Sequence, residues 1–296
     1  MRIVTTFAAA RTAGAGVVGL VPTMGYLHEG HLSLIAGARE GCDTVVASIF
    51  VNPLQFGPGE DLERYPRDPE RDAAMARAAG VDVLFTPPLE EMYPEPPLTR
   101  VTVEALAGPL CGRARPGHFT GVATVVAKLF AGLQPDLAYF GAKDAQQLAI
   151  VRRLAADLSF PVEVVRMPLV RDHDGLALSS RNAYLAPADR ERARALSRGL
   201  FAAADAFTAG ETSAAALTAL AAATAAGADL EYAELVRADD LEPLAAVGDA
   251  AAFLAVAARI GPARLIDNVW FLPGPRGTVV DRGVFLDLPS VISGGR

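Results

Sequence analysis

Apolar residues in the first half of this chain gather in short runs: "VVGLVPTM" (17–24), "TVVASIFVN" (44–52), "VDVLFTP" (81–87), "LAYFG" (137–141) and "VEVVRMPLV" (162–170). Runs of that length, rich in β-branched residues and apolar on both faces, predict strands buried within a sheet. Between them the apolar spacing changes to a helical period near residues 31–39, 69–79, 121–133 and 145–158. Strand and helix in alternation predict a parallel sheet covered on both sides, so the fold class is α/β with a Rossmann-like sheet domain.

The pattern shifts after Val170. From Pro187 to about Ala226 the chain is alanine-rich with helical spacing, and "LEYAELVRA", "AAFLAVAARI" and "RLIDNVWF" then read as strands of a smaller α+β domain. The predicted organisation is a Rossmann-like domain over 1–170, the α+β domain over 171–271 with a Ser-Ser-Arg loop at its start, and a tail, 272–296, whose prolines and glycines give no readable pattern.

Composition narrows the class. Of 296 residues, 51% are hydrophobic and 21% charged, as in a folded globular protein. The apolar N-terminus is interrupted by Arg11 and runs on into the first long strand, unlike a cleaved signal. No run reaches the roughly 18 apolar residues of a membrane helix, so no membrane partner is expected. A net charge of −7 offers no general attraction to nucleic acid. Cys42 and Cys111 have no metal-like spacing and read as buried reduced thiols of a cytoplasmic protein.

Five stretches carry candidate chemistry. In "PTMGYLHEGH" two of the four histidines, His28 and His31, stand on a strand-to-helix corner with Gly25 and Gly30, where first-turn N–H groups and ring donors suit a phosphate. The competing readings are a pair of surface histidines and a zinc site, for which a third ligand is missing. Asn52 and Gln55 bring neutral amides to the next strand end, suited to reading a hydroxylated substrate, ahead of a charged segment that reads as a solvated loop. Arg113, Arg115 and His118 precede an apolar helix, either as an anion site or as surface charges. "YFGAKDAQQL" opens a helix with Lys143, a point charge suited to a triphosphate, Asp144, an N-cap or a Mg2+ ligand, and Gln146 and Gln147. "VRDHDGLALSSRN" sets Asp-Gly turn chemistry before two hydroxyls and a guanidinium that can grip phosphate oxygens, although Ser179 can equally cap a helix.

The histidine corner and the Ser-Ser-Arg loop resemble the two signatures of the nucleotidyltransferase superfamily that includes class I aminoacyl-tRNA synthetases. The order "PTMGYLHEGH", "SIFVNPLQF", "GHFTGVATVVAKLF", "FGAKDAQQL", "LALSSRNAYL" resembles one family within it, the pantothenate synthetases or pantoate–β-alanine ligases, from about Val21 to Leu185 and more loosely through "RLIDN".

That resemblance implies an AMP-forming ligase of a coenzyme A pathway, with ATP as substrate accompanied by Mg2+, pantoate and β-alanine as the other substrates, and a homodimeric assembly. Pantoate attacks the α-phosphate and releases pyrophosphate; β-alanine then attacks the pantoyl adenylate to give pantothenate and AMP. It implies an ATP site of Met24, Gly25, Tyr26, Leu27, His28, Glu29, Gly30, His31, Gly141, Ala142, Lys143, Asp144, Val170, Leu178, Ser179, Ser180 and Arg181. Gln55 and Gln147 would hold pantoate, Gln55 also β-alanine, and His31, with His28 and Lys143, would stabilise the charge that builds on phosphate. The chain departs from the family at Leu178, where methionine is frequent, and at Ala142, where glutamate is common. The alternatives are a nucleotidyltransferase that adenylylates another small metabolite, a tRNA synthetase, disfavoured by the acidic charge, and a non-catalytic nucleotide-binding protein.

Overall fold

The computed structural model describes residues 1–224 and 228–293. In chain order the elements up to residue 167 are β1 (Arg2–Val4), α1 (Phe7–Ala13), β2 (Val18–Thr23), α2 (Glu29–Gly41), β3 (Thr44–Ile49), α3 (Pro69–Ala78), β4 (Val83–Phe85), α4 (Leu89–Met92), α5 (Glu104–Ala107), α6 (Cys111–Ala114), α7 (His118–Leu133), β5 (Leu137–Gly141), α8 (Ala145–Asp157) and β6 (Glu163–Met167). Six of these strands form one sheet in the order β1-β4-β3-β2-β5-β6, every pairing parallel. The continuous apolar runs are explained by burial. Val45, Val46 and Ala47 of β3 and all of β4 are buried, as expected of strands covered on both faces.

The chain winds outward through β2, β3 and β4 and then returns to lay β5 on the other side of β2. The strand order therefore reverses between β2 and β5. In open parallel sheets that is where the loops at the strand C-termini splay apart and leave a crevice for ligand. The loops leaving these two strands are the histidine corner and the Gly141–Lys143 turn.

From Pro168 onward the elements are β7 (Val170–Arg171), α9 (Pro187–Thr208), α10 (Ala214–Thr224), β8 (Asp229–Arg237), β9 (Ala252–Ile260), β10 (Ala263–Leu272), β11 (Val279–Asp281) and β12 (Val284–Phe285). An antiparallel sheet in the order β11-β10-β9-β8 packs its Leu254, Val256, Val269 and Phe271 against Leu196, Leu200 and Leu217 of α9 and α10. The parallel Rossmann-like sheet and the smaller α+β assembly are both present.

Several details differ from the sequence pattern, each for a physical reason. "VEVVRMPLV" is not one strand, because Pro168 has no N–H for the ladder; β6 ends at Met167 and β7 pairs instead with β12. The alanine-rich stretch is two helices separated at Gly210, and Ala225 and Ala226 lie outside the described residues. Helix α7 begins at His118, not Gly121, after Gly117 in a left-handed conformation. The tail, unassigned from sequence, contributes β11 and β12.

The two compact units follow the chain less simply than a cut at residue 170. Segments 109–114 and 143–149 cluster with residues 168–296, and the remainder forms the unit of the parallel sheet. The side chain of Gln146 explains part of this grouping: it accepts from the Cys111 N–H at 3.0 Å and donates to the Pro109 carbonyl at 2.7 Å.

Candidate active site

Within the parallel-sheet unit, the corner after β2 is built by a backbone reversal. Gly25 has φ +83° and Tyr26 φ +51°. A Cβ on Gly25 would meet Asp72 Oδ2 at 2.9 Å and Ile49 at 3.0 Å, so glycine is required by both conformation and space. Asp72, on α3, receives the Tyr26 and Leu27 N–H groups, each at 2.7 Å. Its neighbour Arg71 donates to the Leu27 carbonyl at 2.9 Å and lays its guanidinium 5.1 Å from the centre of the Tyr26 ring. Burial raises the Asp72 pKa against the pull of these two N–H groups and of Arg71. Asp72 was not among the residues singled out by sequence. A charge in a Pro- and Arg-rich segment reads as solvated surface, whereas here it is 2% exposed.

The corner passes into α2 through the histidines. His28 is the N-cap; its Nδ1 accepts from Gly30 N–H at 3.1 Å, and His31 Nδ1 accepts from His28 N–H at 3.3 Å. The rings lie 4.1 Å apart. Because Nδ1 accepts on both rings, the neutral imidazoles carry their protons on Nε2. The pair thus satisfies two orphan donors of the helix start. Leu27 is fully buried in the core, with its N–H held by Asp72 and its carbonyl by Arg71.

After β3, Asn52 caps a 3-10 turn, Pro53–Gln55, that rests on α7. The approach is close: a Cβ on Gly121 would fall 2.2 Å from the Leu54 carbonyl oxygen. Asn52 is buried, its Nδ2 donating to Gln55 Oε1 at 3.2 Å and to the Gly121 carbonyl at 3.1 Å. Its Oδ1 accepts from the Tyr93 hydroxyl at 3.0 Å, whose pKa burial pushes up to about 12. Asn52 therefore orients Gln55. Gln55 in turn donates from Nε2 to Met24 Sδ at 2.9 Å, linking the second loop to the first.

The basic cluster ahead of α7 serves the same turn. His118 Nδ1 is 2.8 Å from the Gln55 carbonyl, Arg115 donates to that carbonyl at 3.2 Å, and the Arg115 and His118 side chains meet at 3.0 Å. Arg115 also pairs with Glu60 at 2.6 Å; burial opposes ionisation of that carboxylate, but the guanidinium holds its pKa below the usual value. Of the three residues read as an anion site, Arg115 and His118 hold protein groups, and Arg113 pairs with Glu234.

In the second unit, Lys143 stands in a 3-10 turn, Ala142–Asp144, with Nζ 3.4 Å from the half-exposed Asp144 carboxylate. Ala142 is fully buried, Gln147 partly so. Val170 and Leu178 face each other at the base of a hairpin, Leu178 N–H donating to the Val170 carbonyl at 3.0 Å, with Arg171 bridged to Ala177 above them. Leu178 is buried, which an apolar side chain in place of methionine suits. Ser179 caps the 3-10 turn Ser180–Tyr184, its Oγ accepting from Arg181 N–H at 3.3 Å while Asn182 Oδ1 receives the Ser179 N–H. Ser180 is buried, Arg181 partly exposed.

The hairpin is fastened beneath that turn. Asp172, fully buried, accepts from Ser290 N–H at 3.0 Å and from the Ser293 hydroxyl, and pairs with Arg190 at 2.7 Å. Burial opposes ionisation, yet the Ser293, His173 and Ser290 donors hold its carboxyl well below the usual carboxylate range. Asp172, His173 and Asp174 are close enough to share a metal ion, but Arg190 already bridges the two aspartates. Cys111 is buried with Sγ 3.1 Å from the Tyr232 hydroxyl; Cys42 is only half-buried, contrary to expectation, with Sγ 3.5 Å from the Tyr139 hydroxyl. Among the described residues no helix is long and apolar enough to cross a membrane.

The family model for pantoate-beta-alanine ligase matches residues 2–270. Pantothenate synthetase 1 of Bradyrhizobium diazoefficiens is 54% identical over 276 residues, covering 91% of this chain and 98% of the relative. The pantothenate synthetase of Geobacillus kaustophilus is 55% identical, covering 85% of each. Among solved structures, the pantothenate synthetase of Thermus thermophilus superposes with a TM-score of 0.86 at 52% identity, covering 90% of this chain and 98% of that one. The pantoate-beta-alanine ligase of Francisella tularensis, in complex with beta-gamma ATP and beta-alanine, superposes with a TM-score of 0.74 at 34% identity, covering 90% of this chain and 97% of that one.

Proposed function

The chain belongs to the pantoate-beta-alanine ligase family, and from that premise we propose how its own residues carry out the reaction. It is an ATP-dependent ligase that joins pantoate to β-alanine through an amide bond. A carboxylate is a poor acyl donor to an amine because its leaving group would be oxide. Coupling to ATP replaces that leaving group with AMP: a pantoate carboxylate oxygen bonds to the α-phosphorus as the bond to pyrophosphate breaks. The β-alanine amine, freed of its ammonium proton, then bonds to the acyl carbon and gives up a second proton as AMP leaves.

Charge moves onto pyrophosphate in the first step, and fixed donors aimed at phosphate oxygens stabilise it without reorganising. The observation that carries this assignment is the reciprocal capping of His28 and His31. It fixes both rings with Nδ1 toward the α2 backbone, at the strand end where the sheet order reverses. His31 acts as an electrostatic stabiliser with His28. Met24, Gly25, Tyr26, Leu27, Glu29 and Gly30 complete this corner's contribution to the ATP site.

Lys143 neutralises phosphate charge, and Ser179, Ser180 and Arg181 grip phosphate oxygens, with Gly141, Ala142, Val170 and Leu178 shaping the nucleotide's surroundings. Mg2+ accompanying ATP would neutralise phosphate charge, and the half-exposed Asp144 carboxylate would be an oxygen donor to it. Gln55, oriented by Asn52, hydrogen-bonds pantoate and later β-alanine, and Gln147 holds pantoate. A cytoplasmic homodimer belongs to the same proposal: two free cysteines fit a reducing compartment, and dimerisation follows the family resemblance.

The direct test is exchange of labelled pyrophosphate into ATP without β-alanine. Exchange that requires pantoate, and fails with acids lacking its hydroxyls, supports the assignment. Exchange indifferent to the acid, or absent until β-alanine is added, contradicts it.

A further inference from the structure

The "RLIDN" stretch of β10 has no role in the mechanism above, yet its Asp and Asn are buried and committed to the elements that carry the phosphate grips. Asn268 donates from Nδ2 to the backbone carbonyl of Lys143 at 2.8 Å. Asp267 pairs with Arg171 through two parallel bonds of 2.8 and 2.9 Å, the guanidinium being fully buried. Asp267 Oδ1 also accepts the Asn268 N–H at 2.7 Å, which fixes one side chain relative to the other. Arg171 reaches onward to the Gly175 carbonyl at 3.1 Å, in the turn of the hairpin that leads to Ser179, and to the Asn268 carbonyl at 2.9 Å.

We propose that Asn268 is a positioning residue for the adenylation step, acting through Lys143, with the Arg171–Asp267 pair holding the Ser179–Arg181 loop in register with it. The inference rests on the assignment of Lys143 to ATP phosphates. Lys143 lies in a three-residue 3-10 turn between a strand and a helix. A turn that short has few backbone bonds of its own, so its path depends on outside donors. The Asn268 amide supplies one at Lys143 itself. Without it the lysine backbone relaxes, and its ammonium shifts relative to the Ser-Ser-Arg loop, whose own anchor runs through Asp267. A displacement near 1 Å at a phosphate contact costs about a hundredfold in rate.

A buried asparagine can also serve stability alone, so the test must separate the two roles. Asn268→Leu, Lys143→Ala and the double variant are compared in pantoate-dependent pyrophosphate exchange. Amide formation from pre-formed pantoyl adenylate and thermal unfolding are measured alongside. Asn268→Leu should lower exchange about ten- to a hundredfold and leave amide formation from the pre-formed adenylate within about twofold. In the Lys143→Ala background it should cause little further loss, because its effect runs through the missing side chain.

Full additivity, or equal loss in both half-reactions, overturns the proposal. If Asn268→Leu does not fold, Asn268→Asp removes the donor at constant size and is read in the same cycle. Should Lys143→Ala itself leave exchange unchanged, the assignment of the lysine fails. A severe Lys143→Ala defect with an additive Asn268 effect sinks only the positioning role.

Discussion

The carboxylate of Asp72 meets the backbone N–H of Leu27 at 2.7 Å across 45 positions of sequence, and its second oxygen takes the N–H of Tyr26 at the same distance. The loop that delivers His28 is therefore held by a side chain of α3 as well as by its own turn. Asp72→Ala strands both N–H groups, at a cost of about 1–3 kcal/mol each. Denaturant unfolding should register that loss, and pyrophosphate exchange should fall at least tenfold at temperatures where the variant stays folded. Unchanged stability would mean that the contact contributes nothing.

His31→Ala removes both a cap and a proposed phosphate donor. The capping loss is about 1 kcal/mol, small beside the catalytic effect, which should be about 100- to 1,000-fold in adenylation. A folded variant with near-normal pantoate-dependent exchange would remove His31 from the mechanism.

Gln55 and Gln147 separate recognition of the acid from recognition of the nucleotide. Substitution of either by leucine leaves substrate hydroxyls unpaired and should lower efficiency with pantoate roughly ten- to a hundredfold. ATP affinity, measured by calorimetry, should hold. Gln55→Leu also frees its Asn52 and Met24 contacts, so unfolding is followed in parallel. Wild-type pantoate dependence in both variants would contradict the acid pocket.

Asp172 gives a prediction in pH. Its folded pKa is depressed, so its contribution to stability is present above the ordinary carboxylate value near 3.8 and is lost as pH falls toward the folded pKa. Asp172→Asn should destabilise the protein by a constant amount from neutral pH down to about 5, with the difference from the unaltered chain narrowing below about 4. Denaturation midpoints across that range check it; a gap that widens on acidification would reverse the sign.

Much of the architecture was legible because burial on both faces writes itself into local pattern. The runs at 44–52 and 137–141 needed no partner to be recognised as strands; Thr44 and Pro69 marked the starts of β3 and α3, although the first run overshot the end of β3 by three residues. The histidine corner stood out because two rings and two glycines share ten residues. Asp72 and Asn268 did not, since each acts on a backbone group far away in sequence, at Leu27 and Lys143, and neither period nor spacing records such a bond. The contacts of Arg115 and His118 were hidden for the same reason: charge before a helix reads as an anion site or as surface, and does not record that the Gln55 carbonyl and Glu60 engage them. Strand β1 escaped notice because three residues at a sheet edge, with Ile3 half exposed, carry no pattern.

The central claim, that pantoate is activated as an acyl adenylate, is tested most directly by following its carboxylate oxygens. Pantoate labelled with oxygen-18 in both carboxylate positions is turned over with ATP and β-alanine, and the products are weighed by mass spectrometry. Attack on the α-phosphorus predicts one labelled oxygen in AMP and one in the amide of pantothenate, with none in pyrophosphate. Label in inorganic phosphate alongside ADP, or unlabelled AMP, would contradict it.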